Sequence, residues 1–122
     1  MNDSISNPKL DTFPKLLQRN VAQFANVPSI REKEFGIWQT WTWAQAADEI
    51  KSFACGLAAL GFKRGEKLFI IGSNRPRMYW AMCAAQSLGG IPVPTYQDAV
   101  VEELTYVVEH AEVRFAIAED QE

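Results

Sequence analysis

The stretch Lys67–Ala118, KLFIIGSNRPRMYWAMCAAQSLGGIPVPTYQDAVVEELTYVVEHAEVRFAIA, decides the fold. Three short apolar runs, Leu68-Phe69-Ile70-Ile71, Ile91-Pro92-Val93 and Phe115-Ala116-Ile117, are separated by two helix-length segments. Runs without polar alternation, bounded by turn residues, fit strands buried on both faces, and parallel strands need crossover helices of this length. The spacing therefore predicts a β-α-β-α-β unit with a parallel sheet and right-handed crossovers. The first intervening segment, from about Arg77 to Leu88, is apolar on nearly all sides and rich in Ala, which predicts a helix sandwiched between layers. Two prolines in Ile91-Pro92-Val93-Pro94 remove ladder donors and send that strand to an edge. The second segment carries Val100, Val101, Leu104, Val107, Val108 and Ala111 on one stripe, opposed by Glu102, Glu103, Glu109 and His110, and reads as an amphipathic helix. The final strand runs from Val113 to Ala118 into the acidic end Glu119-Asp120-Gln121-Glu122 and should have an unpaired edge.

Upstream, Met1–Leu10 is polar and aperiodic and reads as a flexible arm, leaving 11–122 as the folded part. Thr12 is placed to cap a helix beginning near Pro14, with Leu16, Leu17, Val21 and Phe24 at helical spacing and Pro28 closing the segment. From Ser29 to Thr42 strand formers surround Phe35-Gly36, which predicts a β-hairpin with Gly36 in the turn. Trp38, Trp41 and Trp43 read as cover for the hairpin and an anchor for the next helix rather than as a stacking platform. Thr42 and Gln45 have capping-box spacing. Trp43, Ala46, Ala47, Ile50, Phe53, Ala54, Leu57 and Leu60 then form one stripe, and Gly61 ends the helix.

The composition excludes several function classes. With 12 Lys+Arg against 15 Asp+Glu, the net charge of -3 provides no basic field for a nucleic-acid backbone. No apolar run reaches the roughly 20 residues that span a bilayer, and Met1–Asn7 lacks the basic and apolar regions of a signal peptide. Cys55 and Cys83 have no Cys or His at ligand spacing and read as buried, reduced core thiols. These features point to the cytoplasm, with peripheral membrane contact left open.

Chemistry is sparse. Neither G-x-G-x-x-G nor G-x-x-x-x-G-K-[ST] occurs. Gly72-Ser73-Asn74-Arg75-Pro76-Arg77 follows a strand and sets two cations near a helix N-terminus. It has one glycine, however, and Pro76 removes a donor, so it reads as a solvated turn rather than an anion loop. His110 is a lone surface histidine. Glu102, Glu103 and Glu109 read as a solubilising face, and Glu119, Asp120 and Glu122 resemble a carboxylate site only in composition. Thr95-Tyr96-Gln97-Asp98 is a loop at the carboxyl end of the second strand, where open α/β sheets place ligands.

An ordered set of short pieces carries a resemblance. Thr12-Phe13-Pro14-Lys15-Leu16-Leu17, Arg31-Glu32-Lys33 with Gly36-Ile37-Trp38-Gln39, and Trp41-Thr42-Trp43 resemble the opening of long-chain fatty-acid–CoA ligases, in the AMP-forming acyl-CoA synthetase (ANL adenylating) superfamily. Gly56-Leu57, Leu60-Gly61, Gly65-Glu66-Lys67, Ile71 with Asn74-Arg75-Pro76, Trp80, Ala84-Ala85, Gly89-Gly90-Ile91-Pro92-Val93-Pro94-Thr95-Tyr96 and Glu103-Leu104 continue the pattern from about Asp11 to Glu122.

The resemblance implies an enzyme that joins a fatty acid to ATP as an acyl-adenylate, releasing pyrophosphate, and then passes the acyl group to CoA, usually with Mg²⁺. It covers only the first part of the large N-terminal domain. The family's Ser/Thr/Gly-rich loop ending in Pro-Lys, its Tyr-Gly-x-Thr-Glu stretch, its ribose-holding Asp and its C-terminal Lys have no counterpart here. No catalytic, cofactor-binding or metal residue is assigned, and Thr95–Asp98 stays unassigned. The expected partner is the remainder of the ligase chain, with self-association through the uncovered sheet edge as a further expectation. The competing reading is a stand-alone interaction or regulatory module; a dinucleotide-binding protein is disfavoured because its glycine fingerprint is missing.

Overall fold

The computed structural model describes residues 8–120. Met1–Asn7 of the expected arm therefore lie outside the described residues, and Pro8–Leu10 forms one turn of 3-10 helix. Helix α1, Phe13–Phe24, begins as its sequence demands: the Thr12 hydroxyl accepts the Lys15 N–H at 3.3 Å, and Pro14 occupies the first turn. It ends at Phe24, short of Pro28, which opens strand β1, Pro28–Glu34.

Strand β1 pairs antiparallel with β2, Ile37–Thr42, across a two-residue turn in which Phe35 and Gly36 both have positive φ, 51° and 78°. Such a turn matches the right-handed strand twist. Register places Glu32 opposite Gln39 and Glu34 opposite Ile37 on one face. Arg31 opposite Thr40 and Lys33 opposite Trp38 occupy the other. Trp41 is half-buried and meets Trp80 edge-to-face, ring centroids 5.2 Å apart. Such a pair contributes about 0.5–1.5 kcal/mol beyond its burial. Trp43 is half-buried at the start of the next helix. Trp38 does not cover the hairpin: it is 64% exposed.

Helix α2, Trp43–Ala59, has the full capping box, with Thr42 Oγ1 accepting the Gln45 N–H and Gln45 Oε1 accepting the Thr42 N–H. Its buried stripe is Ala46, Ile50, Ala54 and Leu57. Two expectations fail here. Leu60, the C-cap, is exposed; Gly61 then turns the chain through φ 93° and buries Phe62 instead. Cys55 is exposed, one residue beyond the buried Ala54, and only Cys83 is half-buried; both thiols are free.

The parallel sheet has the order β4-β3-β5, with β3 Lys67–Ile71, β4 Ile91–Thr95 and β5 Phe115–Ala118. The α/β architecture is thus an N-terminal helix and hairpin followed by a β-α-β-α-β unit. Central β3 buries Leu68, Phe69 and Ile70 on alternate faces. Leu68 and Ile70 join the main core, flanked on β5 by their partners Phe115 and Ile117. Among the described residues β4 and β5 are outer strands, and β4 carries both prolines. Burial on both faces holds only for β3; β5 alternates between half-buried and exposed, and β4 mixes the two, each having one neighbour.

Helix α3, Pro76–Ser87, packs against α2 on one side and β3 and β4 on the other. Ala81, Ala84 and Ala85 are fully enclosed, so the absence of larger side chains sets the helix-to-sheet spacing. Arg77 and Tyr79 of α3 do reach solvent. Helix α4, Val101–Ala111, has the expected apolar stripe but buries none of it completely.

Candidate functional site

The strand order reverses at β3, whose successor β4 lies on one side and β5 on the other. In an open α/β sheet such a reversal leaves a crevice outside the carboxyl ends of the strands. A cavity of about 470 Å³ opens there. Its floor is Ile70, Ile71 and Ile117; the loop Gly72–Arg75 and the inward hairpin face, with Glu32 and Gln39, form its sides.

Glu119, one residue past β5, controls the loop. Its carboxylate accepts the Ser73 backbone N–H at 2.6 Å and the Ser73 hydroxyl at 2.7 Å, and pairs with Arg75 Nε at 3.1 Å. Arg75 also lies 3.5 Å from Glu32, tying the hairpin to the loop. The Ser73 N–H and hydroxyl, and then Arg75, hold the Glu119 carboxyl below the usual carboxylate range. Gly72 is needed for this approach, because a Cβ there would sit 2.9 Å from Glu119 Cβ. The loop at the start of α3 thus does hold an anion, and the anion is a side chain of the same protein.

The expected groups scatter. His110 stacks on Tyr106 on the exposed side of α4, 5.4 Å between centroids, and does not line the cavity. Glu102, Glu103 and Glu109 are exposed on the same helix, and Glu122 lies outside the described residues. Tyr96, Gln97 and Asp98 are exposed beyond β4 and do not line the crevice. Sequence reasoning missed Glu119 because its partner lies in a strand neighbour rather than a chain neighbour; only the order β4-β3-β5 brings the two together.

Among the described residues no group of three His, Cys, Asp or Glu could hold a metal ion. At the start of α3 the Ser73 N–H, the Ser73 hydroxyl and Arg75 Nε are engaged by Glu119. No helix of the described residues is long and apolar enough to cross a membrane. The arrangement can orient a loop and enclose a small volume.

The model of the AMP-binding enzyme family matches residues 17–122. The chain belongs to that family. Among curated relatives, this AMP-binding enzyme sequence is 35% identical over 83 residues to uncharacterized protein Rv1549 of Mycobacterium tuberculosis, covering 68% of this chain and 47% of that protein. It is 31% identical over 111 residues to the long-chain-fatty-acid–CoA ligase ACSBG2 of Rattus norvegicus, covering 91% of this chain and 17% of the ligase. The fatty acid AMP ligase from Legionella pneumophila superposes with a TM-score of 0.82 at 18% identity, covering 92% of this chain and 20% of that one. The chain therefore spans about half or less of these relatives, and it has the fold of part of the N-terminal domain of adenylate-forming enzymes.

Proposed function

We propose that this chain is the N-terminal part of a long-chain fatty acid:CoA ligase. The reaction of the whole enzyme is fatty acid plus ATP plus CoA to acyl-CoA, AMP and pyrophosphate, through an acyl-adenylate. The observation that carries the reading is the similarity to the rat long-chain ligase over 91% of this chain. In this reading the whole enzyme uses ATP, Mg²⁺ and CoA, whereas this segment binds none of them and is inactive alone. Its residues supply scaffold: β3 and β5 set the carboxyl-end crevice, and Glu119 locks the Ser73–Arg75 loop beside it. Residues 11–122 are the first part of the adenylate-forming domain, and the remainder of the ligase is their partner. Two free thiols fit a reducing compartment, so the proposed location is the cytoplasm.

The test is pyrophosphate release by the natural gene product with ATP, Mg²⁺ and CoA. Palmitate-dependent release by that product, with none from the 122-residue chain alone, is the expected result. Release driven by an aryl or amino acid and not by palmitate would keep adenylation and overturn the long-chain assignment. No release with any carboxylate would transfer the chain to the interaction-module reading.

A further inference from the structure

The β1–β2 hairpin is fastened at its root and loosely tied beyond it. At the root, the Trp43 and Ala44 N–H groups donate to the Val27 and Ala25 carbonyls at 3.1 Å, and Ile30 and Trp41 pack on the core. The strand register shifts between Pro28 and Ile30, and an irregularity of that kind bends a ribbon locally. From Arg31 to Thr40 every residue is exposed except Glu32, which is half-buried. Among the described residues, the Glu32–Arg75 pair at 3.5 Å is the one hydrogen bond or ion pair that joins this outer half to anything outside the hairpin.

We infer that the hairpin is a hinged flap over the crevice, pivoting at its root as an intact two-stranded ribbon and latched shut by Arg75. Charge makes the latch. Glu32 and Glu34, two residues apart on one strand face, line the crevice together with Glu119. Arg75 pairs with Glu32 and, at 3.1 Å, with Glu119, so one guanidinium holds carboxylates of the hairpin and of the sheet end together. Without it these acids repel one another across the opening, with Arg77 as the remaining cation of the lining. An exposed ion pair is weak, and a segment that buries little apolar surface opens at a cost below that of global unfolding. Hinges of this kind need only a few residues at the ends of elements. Opening gives solvent access to the apolar floor at Ile70, Ile71 and Ile117. The inference rests on the hairpin and the crevice and requires no particular reaction.

The test is the rate at which hydrogen peroxide converts Met78 to its sulfoxide in the natural gene product, read by peptide mass mapping. Met78 lines the crevice and is half-buried, whereas Met82, one turn further along α3, packs on the core outside the crevice and serves as the internal reference. Arg75→Gln should speed Met78 oxidation about twofold to fivefold, the range set by an exposed ion pair, and leave Met82 unchanged. Raising the salt concentration should speed Met78 in the parent and have little effect in the variant, because the pair it screens is gone. Adding Glu32→Gln to Arg75→Gln should slow Met78 again, since one of the repelling carboxylates is removed. Equal Met78 rates in the parent and Arg75→Gln, or a double variant no slower than Arg75→Gln, would overturn the proposal. So would a parallel rise at Met82, which would assign the change to opening of the core instead of the flap.

Discussion

The Glu119 carboxylate takes the Ser73 backbone N–H at 2.6 Å, joining two residues 46 positions apart across the carboxyl ends of β5 and β3. This bond ties the loop between β3 and α3 to the end of β5, and the same carboxylate pairs with Arg75, which also lies near Glu32. The local order of the crevice therefore depends on one ionised side chain.

That dependence sets a pH signature. Hydrogen bonding by Ser73 lowers the Glu119 pKa in the folded chain from its ordinary value of 4.5, so its contribution to stability is fully present above that value. The contribution is lost as pH falls through the lowered folded value. Glu119→Gln should cost about 1 kcal/mol in urea unfolding at pH 7, a figure kept small by the solvent around the carboxylate. The variant and the parent should converge at acidic pH. A constant difference across the range would dissociate stability from this carboxylate's charge.

Gly90 is held by contact rather than by backbone angle. A Cβ there would meet the Phe62 ring at 2.4 Å and the Glu66 carbonyl oxygen at 2.9 Å, and Phe62 is only 4% exposed. Gly90→Ala should destabilise by about 1–3 kcal/mol, as overpacking does. Adding Phe62→Leu should cost less than the sum of the two single changes, measured as a double-mutant cycle.

Thr42 serves two elements at once, ending β2 and capping α2. Thr42→Ala removes the bond to the Gln45 N–H and should cost about 1 kcal/mol. Thr42→Asn should recover most of it, since Asn caps as well. Denaturant midpoints of the three proteins would check the order.

The two thiols should separate kinetically. Cys55 is exposed, whereas Cys83 is half-buried and burial pushes its thiol pKa up. Iodoacetamide at neutral pH should modify Cys55 about tenfold faster or more. Peptide mass mapping at short times reads the difference; equal rates would mean that α3 opens as readily as the surface of α2.

Local chemistry determined the elements. The capping box at Thr42 and Gln45, the all-apolar run of α3, the prolines of β4 and the Phe35-Gly36 turn are interactions between residues a few positions apart, so they were legible as text. The family was legible for the same reason, through short pieces in order. Tertiary structure alone decided what crosses between elements. Strand order put Glu119 beside Ser73, tying an exposed turn to the end of β5. Register divided the hairpin's acids from its cations, and the Gly61 turn exposed Leu60 while burying Phe62. Helical periodicity names a stripe, but which members of it are covered depends on where the neighbouring layer stops, and α2 left Cys55 and Leu60 outside that boundary. Pairings between residues far apart in the chain arise from packing, whose outcome no local pattern encodes.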